Sequence, residues 1–407
     1  MVPALELGGG VPSVADFVCE TIEGSNAFDL RLVSLAVGAR DQIGVALTRP
    51  TSWLRGVRTR EEIWQGRPFT RVGAFASEFE FQRFQPRAAL SRLLADCDLV
   101  QVIAGSPAAA WAVCGVGKPV AVQCATRAIV ERRRVAATVR GPKAAWRRWM
   151  TRMTDRLDHK ALQNVDAIQV ENAWMFEYAR RINVGREVII RYAPPGVNAG
   201  RFRPAAARDV RLDPYVLSVG RLDDPRKNVG LLLQAYARLP TELIRSARLL
   251  LAGLTGPDPA FWARVKELGL TDRVEFVSSP DVEGLIRLYQ RASVFVSSSE
   301  EEGLGVAILE AMACGIPVVS TRSGGPDGII ADERDGYLVG LGDATAMSHR
   351  LACLLRDQEL NRRMGELARQ TILRSYETGV AGRAFFDIYD ELLSRPRLRG
   401  APGQMLP

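Results

Sequence analysis

Short apolar runs alternate with longer amphipathic segments along the whole chain. Runs rich in Val, Ile, Leu and Phe, which predict buried strands, occur at 28–36, 69–72, 99–103, 118–126, 166–170, 188–190, 215–219, 273–279, 293–299 and 317–321. Between them, apolar residues recur at intervals of three and four, which predicts helices that pack on the strands. Strands that alternate with helices predict an α/β fold built from parallel sheets.

The length of the chain predicts two domains. Its 407 residues exceed the size at which a single hydrophobic core stops growing, and 47% of them are hydrophobic. The Pro- and Gly-rich stretch at 193–198 is typical of a hinge between domains. We therefore expect an N-terminal domain at 1–195 and a C-terminal domain at 196–376, each with its own α/β core.

The segment 302–319 is the strongest candidate for a binding site. The chain turns from a predicted strand into a predicted helix through Glu302, Gly303, Leu304, Gly305 and Val306. The glycines allow a sharp turn and a close approach of the backbone to a ligand, and free N–H groups at the start of a helix suit an anion. Eight positions along such an element correspond to about 12 Å of helical rise, so we expect Glu302 and Glu310 to lie one above the other along a cleft and to hold the two ends of one ligand. The alternative is a solvated Glu302 and a capping Glu310.

A second candidate element follows the apolar run at 215–219. The run ends at Gly220, and the polar turn after it carries Arg221 and Lys227 before an amphipathic helix that Asn228 caps. Arginine offers a planar fork and lysine a compact charge, so the two together suit a diphosphate. On its own, such a loop is usually just solvated.

These two elements resemble those of the retaining glycosyltransferases of family 4, which have the GT-B architecture of two facing Rossmann-like domains. The resemblance covers roughly 216–389 strongly and the N-terminal half more loosely. It implies that Glu302 contacts the sugar of a nucleotide sugar, that Glu310 holds the ribose, and that Arg221 and Lys227 bind the pyrophosphate. It also implies that Val277 lies beside the nucleobase, and that a helix at 377–395 crosses back to complete the N-terminal domain.

The resemblance extends to the start of the chain. Three glycines at 8–10 precede a predicted helix, and they are similar to the glycine-rich loop that the family places against the phosphates or the acceptor, so Gly9 and Gly10 are candidates for donor binding; a flexible turn is the alternative. The family's His after the strand at 118–126 is absent, because Cys124, Ala125 and Thr126 stand there. We expect Thr126 or Arg127 to contact the sugar or the acceptor instead.

The segment 127–160 is the most basic part of the chain. Eleven basic and three acidic residues give it a net charge of +8, which equals the net charge of the whole protein. Three interpretations remain open: Trp146, Trp149 and Met153 face the core while the arginines are solvated; the segment docks on an anionic membrane surface; or a basic cluster captures an acidic acceptor. That cluster would be Arg132, Arg133 and Arg134. Nucleic acid fits poorly, because no recognised binding module is present.

The remaining composition bears on cofactors and location. Six scattered cysteines without paired spacing favour free thiols over disulfides or zinc, and two histidines offer no metal cluster, so we expect neither a metal nor a cofactor. No apolar run reaches the length of a membrane span, and the N-terminus lacks a signal pattern. We therefore expect a cytoplasmic protein that contacts the inner membrane face at most peripherally.

Taken with these features, the resemblance to family 4 implies a metal-independent, retaining glycosyltransferase. It would move a sugar from a UDP-sugar or GDP-sugar to a hydroxyl of a glycan, a lipid-linked acceptor or a small molecule. Two other classes stay open: a sugar-nucleotide epimerase or hydrolase on the same fold, since a fold alone does not set function, and a sugar-nucleotide binding protein without activity.

Overall fold

The computed structural model describes residues 1–3, 5, 9–38, 41–133, 140–205 and 214–395. The strands in these ranges are β1 (Val2–Pro3), β2 (Leu32–Leu35), β3 (Thr59–Trp64), β4 (Arg67–Val72), β5 (Val100–Ala104), β6 (Val120–Cys124), β7 (Ala167–Val170), β8 (Ile189–Tyr192), β9 (Tyr215–Val219), β10 (Arg248–Gly253), β11 (Val274–Ser278), β12 (Val294–Ser297), β13 (Val318–Thr321) and β14 (Tyr337–Val339).

The α-helices in the same ranges are α1 (Gly10–Ser25), α2 (Pro50–Arg55), α3 (Glu80–Arg83), α4 (Ala88–Leu93), α5 (Ala128–Glu131), α6 (Pro142–Leu162), α7 (Ala173–Ile182), α8 (Val229–Ala237), α9 (Thr241–Ser246), α10 (Pro259–Glu267), α11 (Val282–Arg291), α12 (Val306–Ala313), α13 (Pro326–Ile329), α14 (Ala344–Arg356), α15 (Gln358–Thr371) and α16 (Thr378–Ser394). Short 3₁₀ helices occupy Pro107–Val113 and Pro225–Lys227, and Ile372–Tyr376 forms a π-helical turn.

The N-terminal half contains sheets in the orders β1-β2-β4-β3 and β5-β6-β7-β8, in which β3 is antiparallel to β4 and the other pairs are parallel. The two sheets meet at β1 and β5, because the amino group of Met1 donates to the carbonyl of Gln101 at 2.6 Å and the N–H of Ile103 donates to the carbonyl of Met1 at 2.9 Å. Helices cover both faces, so the strands carry apolar residues on both sides: Val122 belongs to one core and Ala121 to the other.

The C-terminal half contains one parallel sheet in the order β11-β10-β9-β12-β13-β14. Its two faces are buried in separate hydrophobic clusters, one against α12 and one against α8 and α14. Two Rossmann-like domains with parallel sheets confirm the predicted α/β fold class.

The chain crosses between the domains at two adjacent places. The N–H of Val197 donates to the carbonyl of Tyr376 at 2.7 Å, which pairs the outgoing strand with the returning one. Gly196 is needed for this approach, because a Cβ there would lie 2.6 Å from the Tyr376 carbonyl oxygen.

After the second crossing, α16 packs on α1 in the N-terminal domain. The ring of Phe385 meets that of Phe17 edge to face with a centroid distance of 5.5 Å, and both side chains belong to the same core as Ile388. The helices approach closely at Gly382, where a Cβ would come 2.4 Å from Thr21. The end of the chain thus contributes to the core formed by its beginning.

The structure differs from the sequence predictions at the edges of some elements, and it contains the strands β3, β10 and β14, which were not predicted. The strand predicted at 28–36 is shortened to β2, and β3 was missed because its charged residues hide the period of two. β3 and β4 form a hairpin whose turn residues Gln65 and Gly66 both have positive φ, as the favoured two-residue turn requires. None of the helices in the described ranges is long and apolar enough to cross a membrane.

The packing of α16 predicts a large difference between two substitutions in one helix. Phe385→Ala should lower the free energy of unfolding by about 3–5 kcal/mol, because it leaves a cavity in the core that α1 and α16 share. Leu393→Ala, at a position whose side chain is 42% exposed, should change it by less than about 0.5 kcal/mol. Urea unfolding followed by circular dichroism measures both, and equal midpoint shifts would show that α16 is not part of this core.

Candidate active site

Two polar loops meet where the order of the C-terminal sheet reverses. From β9 the chain moves to β10 on one side and later to β12 on the other, so the carboxyl ends of β9 and β12 are neighbours. In open α/β sheets, ligands bind in the crevice at such a switch point. The loops at 220–228 and 298–305 both begin at this edge.

Local turn chemistry places Lys227 over the end of β9. The side chain of Asp224 accepts a hydrogen bond from the N–H of Arg226 at 3.0 Å and so caps a 3₁₀ turn that Lys227 completes. Gly220 has no side chain in the way, and a Cβ there would lie 3.3 Å from Cε of Lys227. The aliphatic part of Lys227 therefore folds back across the strand end.

Lys227 and Glu302 form a direct ion pair at the switch point. Nζ of Lys227 donates to Oε2 of Glu302 at 2.6 Å, and Oγ of Ser299 donates to the same oxygen at 3.0 Å. Burial alone would raise the pKa of the Glu302 carboxyl, but the Lys227 ammonium and the Ser299 hydroxyl outweigh it and hold the pKa below its usual value. The site thus presents one cation and one anion side by side.

Glu302 lies in a loop and not in the helix that follows. Its N–H donates to the carbonyl of Ser323 at 2.9 Å, and its own carbonyl accepts from the N–H of Gly325 at 2.9 Å, which ties the loop to the end of β13. Because α12 begins at Val306, as the sequence predicts, only part of the segment from Glu302 to Glu310 is helical, and the estimate of about 12 Å from helical rise does not apply to the whole segment.

Glu310 lies in α12 and bonds to a different neighbour. The hydroxyl of Tyr289 donates to its Oε2 at 2.7 Å, and burial raises the pKa of Glu310 to about 7 although Tyr289 and Arg201 oppose the shift. Within the described residues, no hydrogen bond or ion pair joins Glu310 to Arg221, Lys227 or Glu302.

Arg226 is a residue of the site that sequence reasoning missed. Its guanidinium donates to Asp224 at 2.7 Å and to Glu301 at 2.9 Å, and it lies 3.3 Å from Glu131 at the end of α5 in the N-terminal domain. The three carboxylates stabilise the charge of the guanidinium, so the side chain of Arg226 can be largely buried. The run of acidic residues at 300–302, beside a second cation at 226, was the signal that could have found it.

Arg221 lies at the mouth of the same crevice. Its side chain is half exposed and lies 3.7 Å from Asp224, which leaves the guanidinium open to solvent. It faces Gly9 across the cleft, since a Cβ on Gly9 would lie 3.8 Å from its Nε. Gly9 has φ +123°, and Gly10 begins α1 with no atom near its Cβ position. The described part of the glycine loop therefore lies beside a predicted phosphate-binding cation.

The glycine turn after Glu302 contacts the N-terminal domain. A Cβ on Gly303 would lie 2.5 Å from Cβ of Ala125, so only glycine fits there. Nδ2 of Asn172 donates to the carbonyls of both Ala125 and Gly303, at 2.7 and 2.8 Å, and so joins the two domains at the base of the cleft. Leu304 is buried in the C-terminal core, and Gly305 takes φ +97° before α12 begins.

Glu171 is a second residue that the sequence did not reveal. It follows β7, is only 4% exposed, and accepts a short hydrogen bond from the amide of Gln123. Burial and, to a smaller extent, the charge of Glu302 raise its pKa to about 7, while Gln123 opposes the shift. A carboxyl of the N-terminal domain therefore lies within electrostatic reach of Glu302 across the cleft.

Most of the residues predicted to contact the acceptor or the membrane are instead buried in the N-terminal domain or paired with other side chains of it. Thr126 is buried, and its hydroxyl has no hydrogen-bond partner in the described residues. Arg127 pairs with Asp155 at 2.7 Å and stacks on the ring of Tyr178, while Arg132 pairs with Glu80. Arg133 is exposed, and Arg134 lies outside the described residues. The charges of Arg127 and Arg132 are therefore already neutralised.

Two further predictions concern the position of the nucleobase and the absence of a metal site. Val277 lies in β11, where it pairs with Ala252 of β10, two strands from β9 at the same edge of the sheet. In the part of the chain that the structure describes, no group of three or more His, Cys, Asp or Glu side chains is arranged to hold a metal ion.

Residues 207–371 match the family described as glycosyl transferases group 1. Curated relatives include N-acetyl-alpha-D-glucosaminyl L-malate synthase of Bacillus anthracis, 36% identical over 168 residues that make up 41% of this chain and 43% of the relative. D-inositol 3-phosphate glycosyltransferase 2 of Catenulispora acidiphila is 38% identical over an alignment of 183 residues that covers 39% of this chain and 43% of the relative. The matches thus span about half the length of the relatives, or somewhat less.

Solved structures resemble the chain over nearly its whole length. The sucrose-phosphate synthase of Thermosynechococcus elongatus has a TM-score of 0.70 at 21% identity and covers 95% of this chain and 94% of its own. HepE of Anabaena, in complex with UDP-glucose, has a TM-score of 0.68 at 14% identity and covers 96% and 98%. At these identities the likeness establishes the fold. The chain therefore has the GT-B architecture, and its segment 207–371 is similar to the glycosyl transferases group 1 family, as the sequence motifs predicted.

Proposed function

We propose that the protein is a retaining glycosyltransferase that uses a nucleoside diphosphate sugar. The observation that carries the proposal is the Lys227–Glu302 pair at the switch point between β9 and β12, because it joins a cation for a phosphate to an anion for sugar hydroxyls. The family match of 207–371 and the relatives named as glycosyltransferases support the transfer of a sugar. The UDP-glucose complex of HepE supports a nucleotide sugar as the donor substrate.

Each charged side chain has a role that its position suits. The pyrophosphate would lie between Arg221, which is open to solvent, and the ammonium of Lys227. Glu302 would then accept hydrogen bonds from hydroxyls of the sugar, and Glu310 from the ribose. Arg226 touches no substrate in this arrangement, since its carboxylate partners hold it in place and it positions the loops on either side.

The proposed reaction needs no group beyond the substrates and these side chains. The bond from the anomeric carbon to the phosphate oxygen breaks while the acceptor oxygen bonds to that carbon on the same face. The proton of the acceptor hydroxyl passes to the departing phosphate. Lys227 and Arg221 stabilise the negative charge that builds on this phosphate, a role that a metal fills in other enzymes.

Ligand screening followed by product analysis tests the function. A nucleoside diphosphate sugar from a panel of UDP- and GDP-sugars should raise the melting temperature, because a ligand of the native state stabilises it in proportion to its affinity. The bound nucleotide sugar should then release its nucleoside diphosphate faster when an acceptor hydroxyl is added. Free sugar or an epimer in the absence of acceptor would favour a hydrolase or epimerase, and binding without turnover a binding protein.

The role of Lys227 predicts a large loss of rate in one variant. Lys227→Ala should lower kcat/KM for sugar transfer at least about tenfold, because the variant loses a hydrogen-bond donor that acts on the leaving group. Steady-state release of the nucleoside diphosphate measures the effect.

Lys266→Ala is the matched control, since Lys266 is an exposed lysine of α10 away from the switch point. It should leave kcat/KM unchanged. An unchanged rate in Lys227→Ala, with the fold intact by circular dichroism, would remove Lys227 from the reaction.

The raised pKa of Glu310 predicts that the nucleotide sugar binds more tightly as pH rises. Burial raises the pKa of this carboxyl to about 7 in the unliganded site, and ribose hydroxyls donate hydrogen bonds best to its charged form. Binding should therefore strengthen from pH 6 to pH 8, by up to about tenfold. Calorimetry with a nucleotide sugar, whose diphosphate does not titrate in this range, measures the dependence. Glu310→Gln should remove the pH dependence of binding. If this variant keeps the full pH dependence, the group that titrates is not Glu310.

A further inference from the structure

Large apolar side chains of the N-terminal domain are exposed on a surface that we call the aromatic face. Its members are Trp53, Leu54, Phe75, Trp146 and Trp149, whose exposed fractions are 56%, 94%, 58%, 49% and 40%. Single exposed apolar residues are normal, but several large ones in one region mark an interaction site. The interpretation that Trp146 and Trp149 face the core is therefore wrong, although Met150 and Leu157 of the same helix are buried.

The first part of the aromatic face comes from α2 and the loops around it. Nε1 of Trp53 donates to the carbonyl of Ala46 at 2.9 Å, and the neighbouring Val45 forms a bridge with Phe75. These contacts hold Trp53 and Phe75 on adjoining segments.

The second part comes from the N-terminal half of α6. The ring of Phe79, four residues after Phe75, lies 5.5 Å from that of Trp146, which in turn lies 5.1 Å from that of Trp149. Phe81 supports Trp149 at 5.6 Å. Ring contacts thus fix the second part, and the short turn from Phe75 to Phe79, in which the N–H of Phe79 donates to the carbonyl of Ala76 at 3.0 Å, joins it to the first.

Exposed cations surround this surface. Those on α2, the loop after it and α6 are Arg55, Arg58, Lys143, Arg147, Arg148 and Arg152. Within the described ranges none of them pairs with a carboxylate. The nearby acids have partners of their own, since Glu78 accepts from Thr48 at 2.8 Å and Glu80 pairs with Arg132. The rim of the aromatic face is therefore positively charged.

A polar cavity adjoins Trp53 and Leu54. It has a volume of about 220 Å³ and is lined by Gln42, Gly44, Arg49, Thr51, Ser52 and Arg55. The guanidinium of Arg55 and the hydroxyl of Thr51 provide donors for a phosphate group, while Arg49 and Ser52 already donate to backbone carbonyls. A cavity of this chemistry beside exposed apolar side chains suits the headgroup of a phospholipid whose chains lie next to it.

We infer that the aromatic face docks the protein on an anionic lipid bilayer. Tryptophan rings favour the boundary between headgroups and acyl chains, and each arginine or lysine near an anionic surface adds attraction. The rim of the aromatic face is positively charged and its centre is apolar. An anionic bilayer complements both, because its headgroups are negative and its acyl chains are apolar. The inference concerns the N-terminal domain alone and does not depend on the proposed reaction.

Sedimentation of the full chain with vesicles tests the inference. Vesicles of phosphatidylcholine with about one third phosphatidylglycerol should bind the protein at least about tenfold more tightly than phosphatidylcholine vesicles, and added salt should weaken that binding. No binding to the anionic vesicles would overturn the inference, and would indicate that another macromolecule covers the aromatic face.

Three variants separate the face from the charge of the whole protein. Arg147→Glu combined with Arg148→Glu should weaken binding to the anionic vesicles at least about tenfold, and so should Leu54→Glu, whose side chain is 94% exposed and not needed for folding. Arg362→Glu combined with Arg363→Glu makes the same change in net charge on exposed positions of α15 and is the matched control. Equal losses in the two double variants would show that net charge and not the aromatic face controls binding, which contradicts the inference.

Discussion

The pair of opposite charges formed by Lys227 and Glu302 is the interaction around which the candidate site is built. β9 and β12 are neighbouring strands at the switch point of the sheet, so the loops that follow them meet there. Lys227 and Glu302 therefore pair although they are 75 residues apart in sequence. The ammonium offsets the cost of burying the carboxylate, and it lowers the pKa of Glu302 against the effect of burial. Without the lysine, the acid would be an unpaired charge in a largely buried place.

The contacts between the domains impose a second constraint on the same loop. Gly303 lies against Ala125, Asn172 bonds to both of their carbonyls, and Arg226 reaches Glu131. The loop that presents Glu302 therefore forms part of the domain interface, and a change in the relative position of the domains would move it. Glu171, with a pKa of about 7, adds a carboxyl whose charge state affects Glu302.

The fold and part of the site could be predicted from the sequence. Buried parallel strands have a strong apolar signal, and the resemblance carried by the segments around Arg221 and Glu302 pointed to the architecture and the family. The ion pair itself could not be predicted, because strand order is not visible in a local pattern. Arg226, Asn172 and Glu171 were missed for the same reason, since the partners Glu301, Gly303 and Gln123 lie 75, 131 and 48 residues away from them in sequence.

Spacing along the chain was misleading where it was converted into distance. The separation of Glu302 and Glu310 was estimated from the rise of a helix, but α12 includes only Glu310, and the two acids bond to different elements. The basic segment at 127–160 does contain part of an unusual surface. The interpretation that its tryptophans face the core was wrong, because they contact Phe79 and Phe81, which lie far away in sequence.

The most direct test of the account is a crystal structure with the nucleoside diphosphate sugar that gives the largest rise in melting temperature. The account predicts that the ligand separates the pair, with Nζ of Lys227 on a phosphate oxygen and the carboxylate of Glu302 on a sugar hydroxyl, each at hydrogen-bond distance. A bound ligand elsewhere on the protein, with the Lys227–Glu302 pair intact, would contradict it.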